Sequence, residues 1–297
     1  MPIIESINTV RVLAPVKRPI RTASGDIPSF PLVLIDIVTD TGVRGYAYAQ
    51  VYLPALLPAL EATVRSLGEL IKGRELAPRD LYDHLLKRLR LWGAKNLVGT
   101  AMGGLDMAIW DAYARSRGEP LYAMLGAAPR ALKPYYSVGL YDAKSVVEIA
   151  EEAIALDYPG LKIKVGFPTL EEDLAAVRAA KKTLGARALM VDYNQSLSPA
   201  EAMQRCRALD DEGLEWIEEP ICADDPPEHW AELAMLSRVP LAGGENLIGF
   251  REFDAAINAG HLGVIQPDIC KWGGISGCLS VARRAVVAGR RYCPHWL

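Results

Sequence analysis

The sequence has few of the features that mark disulfide-bonded, zinc-binding or membrane-spanning proteins. All five cysteines lie in its last third, and none belongs to a Cys-x-x-Cys pair. An odd, scattered set of cysteines is typical of reduced thiols, so we expect a cytoplasmic protein. No apolar run approaches the roughly 18 residues that a transmembrane helix needs, so we expect neither a signal peptide nor contact with a membrane.

Neither sign of charge is in large excess. The 297 residues include 33 Lys and Arg against 36 Asp and Glu, a net charge of −3, and 51% of the residues are hydrophobic. This balance excludes a disordered protein and argues against a nucleic-acid partner. At roughly 150 residues per domain, the length suggests two domains.

The first part of the chain predicts a mixed unit of strands and helices. Alternating segments at 3–14, 31–39 and 43–49 predict three strands, the last two joined by a turn at Asp40-Thr41-Gly42. Apolar residues then recur at helical spacing over 54–71, 78–91 and 97–117. We therefore predict an N-terminal α+β domain over residues 1–130, followed by a linker near 126–130.

The rest of the chain alternates short apolar strands with helical stretches such as 169–184 and 275–289. This alternation predicts a parallel sheet, and no GxGxxG or GxxxxGK[ST] motif follows any strand. Ionisable residues stand at the ends of successive strands, which suits a (β/α) barrel of the TIM type over residues 131–297, because such a barrel gathers its strand ends at one face. The seven predicted strands are 135–140, 161–166, 188–194, 215–220, 240–245, 263–268 and 291–296.

Three carboxylates, Asp192, Glu218 and Glu245, end three consecutive predicted strands. In a barrel they would converge, and three carboxylates stay ionised together only beside a cation. An all-oxygen set suits Mg²⁺, and the lack of a Cys or His within it argues against zinc. Glu219 should point to the opposite face of its strand and is the weaker ligand candidate.

Lys162 and Lys164 alternate along the strand that precedes these carboxylates, so they share one face. Lysine is costly inside an apolar parallel strand unless it has a function. We expect like-charge repulsion from Lys162 to lower the pKa of Lys164 and make it available as a base.

Asp268 and His295 end neighbouring predicted strands on the other side of the set. The carboxylate could orient the imidazole and stabilise its protonated form, which makes His295 a second acid or base opposite Lys164. Two bases on either side of a Mg²⁺ site fit abstraction of a proton α to a carboxylate. Return of the proton to the opposite face gives racemisation, whereas protonation of a leaving hydroxyl gives dehydration.

These residues and several longer motifs resemble the mandelate racemase subgroup of the enolase superfamily. The superfamily's pairing of a Lys or His base with Mg²⁺ is well known. The matching motifs are Gly104-Leu-Asp-Met-Ala-Ile-Trp-Asp111 with Pro120 and Leu125-Gly126, Lys162-Ile-Lys164, Val191-Asp-Tyr-Asn-Gln-Ser-Leu197, Trp216-Ile-Glu-Glu-Pro220, Gly244-Glu-Asn246 and Pro267-Asp268.

The resemblance implies the same metal ligands and bases, with Lys162 contacting the substrate carboxylate. It also implies that Ser137 and Asn194 line the site, and that an N-terminal cap sets substrate choice through a mobile loop at about 20–30. Lys271 is a weaker candidate outside the catalytic set. On this reading the substrate contacts from the cap and the chain end are Ile20, Ile27, Tyr52 and Trp296.

The resemblance further implies a homo-oligomer that acts on a small-molecule carboxylate. The apolar cap residues favour racemisation or epimerisation of a 2-hydroxy acid, and an acid-sugar dehydratase is the alternative. The family continues with an eighth strand where this sequence ends at Leu297. Three explanations stay open. The sequence is incomplete, or a second chain fills the gap, or the product is truncated and could then be a non-catalytic binding protein.

Overall fold

A computed structural model describes residues 1–22 and 25–295 of the protein. Its N-terminal part contains an antiparallel sheet of three strands in the order β1, β2, β3, namely Ile4–Thr22, Gly25–Thr39 and Arg44–Gln50. Alternate residues of β2, Val33, Ile35 and Ile37, are at most 1% exposed and form the inner face of the sheet. Gly42 has a φ of +78° in the turn between β2 and β3, so the predicted turn is confirmed.

Residues 20–22 and 25–30, which belong to the segment expected to be a mobile loop, are instead parts of the paired strands β1 and β2. Ile20 pairs with Ile27 and Thr22 pairs with Gly25 in antiparallel register. The pairing satisfies backbone groups that a loop would leave to solvent. The hairpin passes over β4 (Tyr136–Leu140) so closely that a Cβ on Gly139 would lie 2.7 Å from the Arg21 backbone nitrogen.

Helices pack against the inner face of this sheet, and their positions agree with the predicted helical segments. A short 3-10 turn at Pro54–Leu56 leads into α1, Leu57–Glu69, followed by α2, Pro78–Arg88, and α3, Asn96–Arg117. The sheet and α3 touch at Gly45, where an added Cβ would lie 2.2 Å from the Ala108 carbonyl oxygen. A short helix α4, Leu121–Met124, precedes residues 127–135, which form neither helix nor strand.

The second part of the described chain contains seven parallel strands whose order in the sheet follows the order in the chain. Each predicted strand is present, and β4 and β10 are the edge strands. The elements are β4, α5 Ser145–Ala155, β5 Gly160–Lys164, α6 Leu170–Leu184, β6 Ala188–Asp192, α7 Pro199–Ala208, β7 Ile217–Glu218, α8 Pro227–Leu236, β8 Leu241–Gly243, α9 Phe250–Ala259, β9 Val264–Ile265, α10 Gly274–Val287 and β10 Arg291–Tyr292.

Apolar side chains pack on both faces of this parallel sheet. The outer layer joins strands to helices and includes Ile163, Val191 and Phe253, all fully buried. The inner layer is smaller and contains Met190, Trp216, Ala242 and Val264. The carboxyl ends of the strands lie above this inner layer, where the ionisable residues meet. None of the helices in the described ranges combines the length and apolarity needed to cross a lipid bilayer.

Candidate active site

Two lysines and Asp192 form one side of the site, which we call the lysine side. Lys164 is opposite Asp192 in the β5–β6 register, and its Nζ donates to Asp192 Oδ2 at 3.0 Å. Lys162 Nζ lies 3.6 Å from the same oxygen and 2.5 Å from Glu218 Oε1. Burial alone would lower the pKa of Lys162, but the carboxylates of Glu218 and Asp192 outweigh burial and raise it, so the ammonium stays charged.

Glu218 is 1% exposed and receives hydrogen bonds on both oxygens. Oε2 accepts from Trp216 Nε1 at 3.0 Å and from Gln266 Nε2 at 2.8 Å. Oε1 faces the Lys162 ammonium. Alternation along the strand explains the Trp216 contact, because residues two apart share a face. Gln266 carries no charge and belongs to no motif that sequence reasoning would single out.

Glu245 is the carboxylate with the most charged neighbours. Its Oε1 accepts from Lys271 Nζ at 2.7 Å, while Oε2 lies 3.0 Å from His295 Nε2. Burial would raise the pKa of Glu245, but the positive charges of His295 and Lys271 outweigh burial and hold it well below its usual range. Lys271 also donates to Asn246 Oδ1 at 3.0 Å and lies 5.3 Å from the centre of the Tyr52 ring.

Asp268 and His295 form the other side of the site, which we call the histidine side. Asp268 Oδ2 is 2.7 Å from His295 Nδ1, and a parallel bridge joins the two backbones. The other oxygen, Oδ1, accepts from the backbone nitrogens of Cys270 at 2.6 Å and Lys271 at 2.9 Å. Burial would lower the pKa of His295, but Glu245 and Asp268 outweigh burial and raise it to about 9. The imidazolium therefore lies between two carboxylates.

The structure places a histidine beside two of the predicted carboxylate ligands, whose oxygens suit a hard divalent cation. Glu218, Glu245 and His295 each offer a ligand atom, and these atoms lie within 4.8 Å of one another. Asn194 Oδ1 is buried and accepts no hydrogen bond from the described residues. Carboxylate and amide oxygens are the ligands that hard divalent cations take in proteins. Asp192 lies beside this group, with Oδ2 turned toward the two lysines.

Two further predicted residues, Asn194 and Ser137, lie beside the lysine side. Asn194 has a left-handed φ of +46°, and its backbone nitrogen and Nδ2 donate to Asp192 at 2.8 and 3.2 Å. Ser137 is exposed on the edge strand β4, in register with Lys162. Asn194 thus contacts a candidate metal ligand, whereas Ser137 is placed next to Lys162 by strand register alone.

The residues predicted to bind substrate from the cap occupy two places. Tyr52 reaches the site through its contact with Lys271. Ile20 and Ile27 form a half-buried cross-strand pair near the tip of the β1–β2 hairpin. Trp296, predicted as an apolar wall, lies outside the described residues.

Glu219, the weaker ligand candidate of the sequence, is buried, and the structure adds a buried ion pair that the sequence did not identify. Glu219 has a left-handed φ of +39°, is 1% exposed and accepts from Asn246 Nδ2 at 2.9 and 2.8 Å. Asp173 accepts from Arg205 Nη1 at 2.6 Å and from the Gly166 nitrogen at 2.8 Å, which holds the loop that follows Lys164. A charged residue in a helix is usually solvated, so the sequence carried no signal for this pair.

Comparison with known proteins decides the family. Residues 5–126 match the N-terminal domain of the mandelate racemase / muconate lactonizing enzyme family, and residues 145–297 match the enolase C-terminal domain-like family. The chain belongs to the mandelate racemase/muconate lactonizing enzyme family of the enolase superfamily. The predicted fold, a TIM-type barrel with an N-terminal α+β part, is therefore confirmed, and the members of this superfamily are enzymes.

The relatives within this family differ in reaction. A crystal structure of an enolase from Bradyrhizobium complexed with magnesium and mandelic acid superposes with a TM-score of 0.93 at 39% identity, covering 100% of this chain and 82% of that one. Arabinonate dehydratase from Saccharolobus solfataricus is 28% identical over 89% of this chain and 72% of its own length. L-Ala-D/L-Glu epimerase from Bacillus subtilis is 27% identical over 95% of this chain and 78% of its own length.

Proposed function

We propose that this protein is a Mg²⁺-dependent enzyme that removes the proton α to the carboxylate of a small acid. The observation that carries the proposal is the placement of buried carboxylates between two different bases. Asp192, Glu218 and Glu245 end the three middle strands β6, β7 and β8, with Lys164 on β5 to one side and His295 after β10 to the other. A general base on each side of a substrate allows proton removal from either face.

Asp192, Glu218 and Glu245 would hold the ion through carboxylate oxygens, with Asn194 beside them. When bound, Mg²⁺ supplies positive charge that favours the build-up of negative charge on the substrate carboxylate. The buried amide oxygen of Asn194, which accepts no hydrogen bond from the described residues, supports this assignment. Small-molecule carboxylates are therefore the class of partner that the site favours.

The chain's own residues would move the proton. Lys164 lies at the end of β5 and is part-buried, so its amine would take or return a proton on one face. Lys162 is charged and 3% exposed, which suits it to hold a substrate carboxylate rather than to exchange protons. His295 would serve the opposite face, with Asp268 holding the ring through Nδ1 so that Nε2 is presented to the site.

Racemisation or epimerisation of a 2-hydroxy acid is the specific activity that we infer. The two-base arrangement supports it, because one base removes the proton and the other supplies one to the opposite face. The structural relative that binds magnesium and mandelic acid supports a substrate with a hydrophobic group. The paired side chains of Ile20 and Ile27 would contact that group, together with Tyr52.

Dehydration of an acid sugar is the second candidate. A protonated His295 is the form needed to donate a proton to a leaving hydroxyl, and the Asp268 contact favours that form. Arabinonate dehydratase is among the relatives. The same residues would serve both reactions, so the product distinguishes them.

Proton NMR in deuterium oxide tests the proposal. The protein with Mg²⁺ is incubated with pooled 2-hydroxy acids and sugar acids, and the α-proton signal is followed. Loss of that signal without a new compound identifies a racemase or epimerase, and appearance of a 2-keto acid identifies a dehydratase. Glu218→Gln is the control, since removal of one carboxylate charge should abolish exchange and weaken Mg²⁺ binding measured by calorimetry. Wild-type protein that exchanges no α-proton across the whole pool would contradict the proposal.

A further inference from the structure

Glu218 differs from the other two candidate ligands because one of its oxygens, Oε2, accepts from two uncharged, buried donors. Trp216 Nε1 and Gln266 Nε2 both donate to Oε2, at 3.0 and 2.8 Å. A carboxylate oxygen offers two lone pairs, so these two N–H groups use the hydrogen-bonding capacity of Oε2. Oε1 is the oxygen that faces the interior of the site, beside the Lys162 ammonium.

The orientation of the Gln266 amide follows from its surroundings. The reverse orientation would place its carbonyl oxygen against the Glu218 carboxylate, which repels it. In the observed orientation Gln266 Oε1 is buried and has no hydrogen-bond partner among the described residues. An unpartnered buried amide oxygen is destabilising. The hydrogen bond from Nε2 to Glu218 is the favourable contact that offsets this cost.

The backbone of Gln266 is also held in place. Its nitrogen donates to the Gly243 carbonyl oxygen at 2.8 Å. Gly244, at a φ of +131°, lies so close that an added Cβ would be 2.9 Å from the Gln266 nitrogen. Gly244 directly precedes Glu245, so the amide that orients Glu218 is anchored to the segment that carries the next carboxylate.

We propose that Gln266 is a positioning residue which, together with Trp216, fixes Glu218 so that it offers a divalent cation one oxygen, Oε1. This inference rests on the proposed metal site. Neutral donors suit the task, because they hold the carboxylate without cancelling the charge that the cation needs. One fixed oxygen favours Mg²⁺, which demands a small octahedral shell, over Ca²⁺, which readily takes both oxygens of a carboxylate.

The test measures Mg²⁺ and Ca²⁺ affinity by calorimetry without substrate, in wild type and in Gln266→Leu and Trp216→Phe. Each variant removes one donor to Oε2, and Trp216→Phe keeps an aromatic ring while Gln266→Leu keeps a side chain of similar size. Loss of such a contact typically weakens metal binding about 10- to 100-fold. We expect Mg²⁺ affinity to fall by about tenfold in each variant and Ca²⁺ affinity to fall less, because a released Oε2 can join Oε1 on the larger ion.

Tyr135→Phe is the matched control. Tyr135 packs edge-on against Trp216 at 5.5 Å between ring centres and lies under Lys162, yet it donates nothing to Glu218. Its loss should leave the ratio of Mg²⁺ to Ca²⁺ affinity as in wild type. Circular dichroism checks that each variant is folded, and Gln266→Met replaces Gln266→Leu if the latter is not.

The outcomes separate the two proposals. A lowered ratio of Mg²⁺ to Ca²⁺ affinity in both variants supports the positioning role. An unchanged ratio, with normal Mg²⁺ binding by the wild type, would overturn the role of Gln266 and leave the proposed function intact. Wild-type protein that binds no Mg²⁺ would overturn the metal site and this inference with it.

Discussion

On the lysine side of the site, Lys164 and Asp192 are directly opposite each other in adjacent strands, whereas on the histidine side Asp268 and His295 meet beyond the ends of β9 and β10. Regular strand register is enough to bring the first pair to 3.0 Å. The second pair approaches to 2.7 Å because backbone nitrogens of the following turn hold Asp268.

The charges also differ between the two sides. Lys162 and Lys164 share the nearby carboxylates Asp192 and Glu218, so cations and anions balance. His295 instead lies between Asp268 and Glu245, a carboxylate that Lys271 also contacts, and the two carboxylates raise the pKa of His295 to about 9. A protein can therefore obtain two acid–base groups from one barrel by using strand register for one and a loop-held carboxylate for the other.

If each side of the site contributes its own base, removal of one base should leave proton exchange by the other base intact. We expect Lys164→Ala to slow α-proton exchange of one enantiomer, and His295→Asn that of the other, each by about 10² to 10⁴-fold, the usual contribution of a positioned general base. Proton NMR in deuterium oxide with each pure enantiomer measures both rates. Equal losses for both enantiomers in either variant would contradict the division into two sides.

A smaller effect should follow from Asp268→Asn, which keeps the shape of the histidine side but removes its negative charge. Loss of the contact with Nδ1 should lower the pKa of His295, because Asp268 is one of the groups that raise it. We expect exchange that depends on His295 to fall by about 10- to 100-fold and its pH profile to move to lower pH. Exchange that depends on Lys164 is the internal control. A pH profile that stays in place would show that Asp268 does not set the charge of His295.

The smallest expected effect concerns the buried hydrogen bonds between Asp106 and Ser276, which join α3 to α10. Asp106 on α3 accepts from the Ser276 nitrogen at 2.8 Å and from Ser276 Oγ at 2.7 Å, at the start of α10. Burial raises the pKa of Asp106 to about 7. The folded protein then keeps a proton on Asp106 that the unfolded chain releases near the ordinary carboxyl pKa. The stabilisation that this proton gives the folded state is complete below the ordinary pKa and is lost as the pH rises towards 7.

Asp106→Asn should remove this dependence. Between pH 5 and 7, the wild type should lose up to about 1.4 kcal/mol of stability per pH unit relative to the variant. Urea denaturation at several pH values measures the difference, and Asp111→Asn controls for the loss of a negative charge from the same helix. Parallel stability curves for wild type and Asp106→Asn would argue against a protonated Asp106.

Much of the barrel could be predicted because its signals are local. Apolar runs and the polar residue at the end of each run predicted the seven strands, and alternation placed Lys162 and Lys164 on one face. Residues 20–22 and 25–30 were wrongly expected to form a loop, because cross-strand pairing of Ile20 with Ile27 depends on partners rather than on local composition. The division near residue 130 and the roles of the site residues stay predictions.

The sequence by itself determined the order of strands and the ionisable residue at each strand end, since both follow from periodicity within a few residues. Only the tertiary structure decided which oxygen of Glu218 faces the site and that Gln266 holds the other one. The same is true of Asp106, which reaches Ser276 across 170 residues of chain. Such contacts join residues that are distant in sequence, and their geometry depends on how the elements pack rather than on local preference.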